Sequence, residues 1–246
     1  MSRRAALWLP LAAFFLLIAA CSSGNGSPLP AQDVVSKVPW GTSETATYQV
    51  LQDNKVKGSG VLSISSSSGT YTLTQVYERS DGQTSDSAGA VVDASTLKPL
   101  STSRQVNGPE GERDCRADYS GDSVVVVNSS KSDSRTDTLV LPGSFYDSAA
   151  DLFLWRTIQL ERGLKLAYQD VFTCNVLAKP SHTLATLEVL TEERVRVPAG
   201  TFDTWRVEMR AGGSTQRFWI AQDARRSLVR YDNGSQVFEL QSISGS

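Results

Sequence analysis

Thr204-Trp-Arg-Val-Glu-Met-Arg210 alternates with a period of two: Trp205, Val207 and Met209 fall on one side, Thr204, Arg206, Glu208 and Arg210 on the other. Successive side chains of a strand point to opposite faces, so this pattern predicts a strand with one face in a core and one in water. The same period recurs outward from it. Ala46, Tyr48 and Val50 alternate with polar residues, Leu62 and Ile64 follow Gly60, and Tyr71, Leu73 and Tyr77 share one parity. Val124 to Val127 is a continuous apolar run, the pattern of a strand buried on both faces. Turn residues separate these runs at short intervals, among them Asp53-Asn54, Ser80-Asp81-Gly82, Ser120-Gly121-Asp122, Gly212-Gly213 and Asp232-Asn233-Gly234. Such spacing favours antiparallel hairpins in sequence order. About eleven or twelve strands are expected, enough to curl into an incomplete barrel.

One segment departs from the pattern. Asp147 to Leu160 begins with an Asp or Ser cap, places Ser148 and Asp151 in capping-box spacing, and carries Ala149, Leu152, Phe153, Trp155 and Ile158 as a broad apolar side. Gly163 supplies a C-cap. The predicted fold is mainly β: a large curved antiparallel sheet or incomplete barrel, with one amphipathic helix near 147–161 covering one mouth or face.

The N-terminus has a different character. Arg3 and Arg4 precede an apolar run from Ala5 to Ala20, and Ile18-Ala-Ala-Cys21 closes it. Cations, a short apolar stretch and small residues before a break mark an export signal, and the run is too short for a comfortable membrane span. Its end resembles the lipobox of bacterial lipoproteins. That resemblance implies removal of residues 1–20, diacylglyceryl transfer to Cys21, and a mature protein tethered outside the cytoplasm to the cell membrane or outer membrane. Residues 21–39 are rich in Ser, Gly and Pro and predict a flexible linker spanning about 23 Å. Residues 40–246 then form a single domain.

Formal charge is −2 for the whole chain and becomes more negative once the two leader arginines are removed, so there is no basic footprint for nucleic acid. Besides Cys21 the chain has Cys115 and Cys174. In an oxidising compartment they form a bridge stabilising the fold by about 4 kcal/mol; the other reading is two buried free thiols.

Four further stretches carry a family likeness: Val195-Arg-Val-Pro-Ala-Gly-Thr-Phe202, Phe218-Trp-Ile-Ala-Gln-Asp223, Leu228-Val-Arg230, and the helix after Tyr146-Asp147. Together with the strands around Tyr48 and Gly58–Gly60 they resemble a family of exported bacterial domains of unknown function. That family is similar to the curved-sheet lipoprotein carriers of the bacterial envelope, which hold an apolar ligand on a concave face under helices. The resemblance implies an architecture and a class of ligand and carries over no catalytic residue. Pro198, Gly200 and Asp223 are structural in either reading, at a strand end and in turns.

Reactive motifs are wanting. The single histidine, His182, is read in a solvated Pro-Ser-His-Thr loop beside a strand, without a G-x-S-x-G nucleophile elbow to serve. No C-x-x-C or H-E-x-x-H offers a zinc site, and adjacent Glu192 and Glu193 would point to opposite faces of a strand. No enzyme activity, metal or cofactor is expected. Phe153, Trp155, Trp205 and Trp219 are the candidate contacts for a lipid or other apolar ligand, or else fill the core. The expected function is a membrane-tethered binding module; the alternative is a scaffold with a packed interior that meets other envelope proteins.

Overall fold

The computed structural model describes residues 29–141, 143–175 and 178–245; Cys21 and its leader lie outside the described residues. Eight strands form a first meander: β1 (Ser43–Gln52), β2 (Lys55–Ser67), β3 (Thr70–Arg79), β4 (Ser85–Asp93), β5 (Pro99–Gly108), β6 (Gly111–Ser120), β7 (Ser123–Ser130) and β8 (Ser134–Val140). β9 (Phe145–Asp147) follows, then a 3-10 turn (Ser148–Ala150) and α1 (Asp151–Thr157). A second meander comprises β10 (Lys165–Phe172), β11 (Ser181–Val197), β12 (Gly200–Ala211), β13 (Ser214–Ala221), β14 (Leu228–Asp232) and β15 (Val237–Gly245). The last strand pairs with the first, so both meanders merge into one sheet of fifteen strands. β9 runs parallel to β10, and the remaining pairs are antiparallel.

Tight hairpins follow from turn chemistry. Asp53 and Asn54 have φ of 51° and 58°, and Gly212 and Gly213 have 55° and 85°. Two consecutive positive-φ residues make the turn whose twist matches that of the flanking strands.

The sheet edges are β8 and β9, yet only residues 141–144 separate them in the chain. A connection that short spans at most about 17 Å, so the sheet curls until its edges approach. No ladder joins them; the sheet stays open, and side chains from the strands nearby bridge the seam. Cys115 on β6 is bonded to Cys174 just past β10, with Cα atoms 5.4 Å apart. The Thr102 and Thr173 hydroxyls are hydrogen-bonded at 2.8 Å, the Tyr119 hydroxyl donates to Asp147, and the Tyr119 and Phe145 rings stack at 5.6 Å.

Several expectations change against this fold. There are fifteen strands rather than eleven or twelve, because β9 has three residues and β8 (Ser-Arg-Thr-Asp-Thr-Leu-Val) carries almost no apolar alternation. Val124 and Val126 are fully buried but Val125 and Val127 are 44% and 39% exposed, so β7 is half-buried and not enclosed on both faces. The helix is shorter than 147–161: regular geometry ends at Thr157, and Ile158 is extended. Asp147 caps the preceding turn by accepting from the Ala149 N–H at 2.8 Å, in place of a Ser148–Asp151 box. Gly163, at φ 76°, turns the chain toward β10 well beyond the helix end.

Nor is α1 amphipathic in its surroundings. Asp151 and Phe153 to Thr157 are all buried, because the segment expected as the end of a linker is fastened along the domain. Ala31 bridges to Ala167, the Ser36 and Lys37 amides donate to Thr157 O, Val34 N donates to the Tyr146 hydroxyl, and Trp40 packs edge-on against Phe153. Ser/Pro composition hid apolar anchors at Val34 and Val38, just before Trp40. The largest buried side chains, Trp155, Tyr146, Tyr168, Phe153 and Phe218, centre the core on this helix within the curl of the sheet.

Candidate functional site

Trp155 of α1 stacks on Phe218 of β13, centroids 4.1 Å apart and planes within 5°. Beside this stack lies a cavity of about 400 Å³ between the helix and the inner faces of β1–β5 and β13–β15. Tyr48, Leu62, Tyr77, Leu152, Tyr231 and Phe238 give it apolar and aromatic walls; Gln75, Gln216 and Gln236 add amides. Part of the space exists because Gly60 faces it: a Cβ there would sit 3.2 Å from the Phe238 ring. Ala88 on β4 likewise presents a small side chain to the cavity.

The helix brings acids to this wall. Asp147 and Asp151 both line the cavity, and both are buried. Asp147 is well supplied with donors: the Ala149 amide, the Thr173 hydroxyl at 2.7 Å and the Tyr119 phenol. Burial nevertheless raises its pKa, against the opposing pull of those donors. Asp151 accepts from the Tyr168 hydroxyl at 3.1 Å, and Tyr168 accepts from Trp155 Nε1 at 3.0 Å. Behind it stands Asp170 of β10, fully buried. Among the described residues no cation pairs with Asp170; its hydrogen-bonding neighbours are the Val171 amide and the Asp151 carboxyl. Two buried carboxyls in this relation share a proton. Burial, then the charge of Asp151, holds Asp170 far above the ordinary carboxylate range, and burial raises Asp151 as well.

Cations nearby are committed elsewhere. Arg104, across the cavity on β5, makes a bidentate pair with Asp86 (2.9 and 2.6 Å) and donates to Cys174 O at 3.3 Å. At the other end of α1, Arg156 grips Glu44 at 2.6 and 3.1 Å, donates to the Arg225 and Arg226 carbonyls, and lies 5.1 Å over the Trp40 ring.

Of the four aromatic residues expected to contact a ligand, Trp155 lines the cavity. Phe153 is fully buried against Trp40. Trp205 packs at the margin of the core. Trp219 lies between the Arg206 and Arg230 guanidinium groups, at 5.8 and 5.2 Å, and donates to Glu193. His182 is exposed within β11, opposite Val171, rather than in a loop. Among the described residues no three His, Cys, Asp or Glu side chains are placed to hold a metal ion, and no helix is long and apolar enough to cross a membrane. Sequence reasoning missed the acids as a site. A signal was present in Leu-Ala-Tyr-Gln-Asp-Val-Phe, residues 166–172, where Asp170 interrupts a strand otherwise mostly buried.

Residues 34–241 match the DUF3108 family, described as proteins of unknown function. The chain belongs to that family. Among solved structures it is similar to a β-barrel-like protein of the DUF1849 domain from Brucella abortus, with 13% identity, TM-score 0.56, and 84% of this chain and 99% of that one covered. This likeness extends to the fold alone. A protein described as exported, with a YmcC-like fold, from Bacteroides fragilis aligns over 87% of this chain and all of its own, at 13% identity and TM-score 0.36. That score is too low to carry an argument. No curated protein matches the chain.

Proposed function

We propose that this domain is a carrier, holding an apolar or amphipathic small molecule between α1 and the concave face of its sheet, outside the cytoplasm on a lipid attached to Cys21. The observation that supports binding is the cavity of about 400 Å³ walled by Tyr48, Leu62, Tyr77, Leu152, Trp155 and Phe238. Its volume falls within the roughly 300–1,000 Å³ of small-molecule sites. A scaffold with a fully packed interior has no use for such a space. The tether rests on the lipobox-like Ile18-Ala-Ala-Cys21 alone. A binding role fits better than catalysis, because Asp147 is engaged with three donors and Asp170 lies behind the cavity wall, which leaves Asp151 as the acid open to a ligand.

Mass spectrometry of an organic extract from gently purified protein tests this reading. A co-purifying amphiphile is expected, and Leu152→Trp, which fills the cavity from the helix side, should abolish it while leaving the melting temperature close to that of the parent. An extract free of lipid, together with no uptake of an added medium-chain alcohol such as decanol, would assign the domain to the scaffold class.

A further inference from the structure

The cavity has an excess of buried acid: among the described residues the one cation in its lining, Arg104, is already paired with Asp86. Asp151 is faced by Asp147 across the turn, by Asp170 and Tyr168 from β10, and by Tyr231 from β14, whose phenol donates to Gln216 Oε1 at 2.7 Å. Arg104 is held by Asp86 on the opposite wall, and Arg156 by Glu44 at the far end of the helix. Among the described residues no cation pairs with Asp170, and one backbone amide, that of Val171, reaches it. Carboxylates buried without a cation must keep protons or obtain positive charge from outside. Here a chamber with largely aromatic and aliphatic walls opens onto Asp147, already held by three donors, and onto Asp151. Its walls include Trp155, Tyr77, Tyr231 and Phe238, and aromatic faces favour a cation over an anion.

We propose that the ligand is an amphiphile with a protonated primary amine, its ammonium on the Asp151 carboxylate and its hydrocarbon chain along Leu62, Tyr77, Leu152 and Phe238. This rests on the carrier reading and specifies its ligand. On binding, the ammonium donates to Asp151 and replaces the proton on that carboxyl, which leaves to solvent, while Asp170 keeps the proton it donates to Asp151. Affinity for the amine therefore rises with pH while the amine itself stays protonated, by about tenfold per unit below the point where Asp151 gives up its proton. An uncharged chain of the same length has no such dependence.

Titration calorimetry on the full chain, freed of extractable lipid, with decylamine, decanol and decanoate at pH 6, 7 and 8 tests the assignment. Decylamine is expected to bind more than tenfold tighter than decanol at pH 8 and to weaken about tenfold per pH unit on acidification, with decanoate weakest throughout. Asp151→Asn should bring decylamine down to the level at which that variant binds decanol, and a far-ultraviolet circular dichroism spectrum matching the parent's shows its fold intact. Should Asp151→Asn fail to fold, proton release measured in two buffers of different ionisation enthalpy carries the test on the parent chain. Equal affinity for decylamine and decanol, tightest binding of decanoate, or no proton release overturns the amine while leaving the carrier. Failure of all three ligands to bind overturns the carrier itself.

Discussion

At its C-terminal end α1 buries Arg156 against Glu44 in a bidentate pair, with two backbone carbonyls and the Trp40 face completing the guanidinium's surroundings. At its N-terminal end the same helix buries Asp151 beside Asp147 and Asp170, and among the described residues no cation pairs with them. Seven residues of helix thus join a charge cluster that is internally settled to one that is not. The first needs nothing from outside and fixes the helix in place: Arg226, with φ at 46°, donates to the Thr157 and Ile158 carbonyls from the loop that docks there. The second stays stable only by retaining protons, and it is the one that borders the cavity. Internal balance marks a structural end, and imbalance beside open space marks a functional one.

The largest test of this contrast is to break the settled end. Glu44→Gln keeps the shape and removes the charge, leaving Arg156 buried and half-partnered, and should cost about 3–5 kcal/mol in urea unfolding. Replacing both partners, Glu44→Leu with Arg156→Met, should recover most of that loss. A single substitution costing under about 1 kcal/mol would mean that the pair is hydrated, and the distinction between the two ends would weaken.

The unsettled end should appear in the pH profile. Burial pushes the Asp151 carboxyl up to about 8 from an ordinary 3.8, and it raises Asp170 as well. Between those values the folded protein holds protons that the unfolded chain has released, so stability falls as pH rises, by about 1.4 kcal/mol per unit for each such proton. Asp93 behaves oppositely: hydrogen bonds from Ser95 and Thr96 lower it to about 2, and its contribution is lost on acidification below 3.8. Maximum stability is therefore expected on the acidic side of neutrality. Asp170→Asn supplies an amide donor to Asp151 and should flatten the decline toward pH 8, as followed by melting temperature from pH 5 to 8. An unchanged slope would show that Asp151 and Asp170 do not titrate together.

Much of the sheet was legible because it rests on local pattern. The period of two from Thr204 to Arg210 and the turn residues at Asp53-Asn54 and Gly212-Gly213 depend on neighbours in sequence, and the hairpins lie where these put them. What lay beyond reach depended on closure of the curl. Strand β8 is polar and pairs only with β7, so no alternation announced it. Segment 31–39 was read as the end of the linker because its composition is that of one, whereas its anchors are long-range, to Tyr146, Thr157 and Ala167. The candidate site was the least legible part. Asp147 reads as a cap, a role it has, and Asp151 as the acid of a capping box with Ser148 that does not form. That Asp170, about twenty residues on, comes to face Asp151 is a consequence of β10 pairing beside β9, which no spacing encodes.

The smallest effect separates the two duties of Asp147. Its Oδ1 accepts from Ala149 N as the cap, while its Oδ2 takes the Tyr119 and Thr173 hydroxyls across the seam. Asp147→Ala and Asp147→Ser both abolish the carboxylate and, because the shorter side chain cannot reach across the seam, both forfeit Tyr119 and Thr173. Serine still caps a helix start and alanine does not, so the difference between the two variants isolates the cap, at about 1 kcal/mol in favour of serine. Their common loss relative to the parent measures the seam. Removing this charge also takes one of the two neighbouring acids away from Asp151, which lowers its carboxyl toward the ordinary range, so in both variants the pH-dependent decline should end at a lower pH, in step with each other. Equal stabilities for the two would show that the cap adds nothing and that Asp147 is kept for the seam and its charge. A decline that stays in place would show that Asp170 alone sets the behaviour of Asp151, confining the unsettled charge at this end of the helix to a single pair.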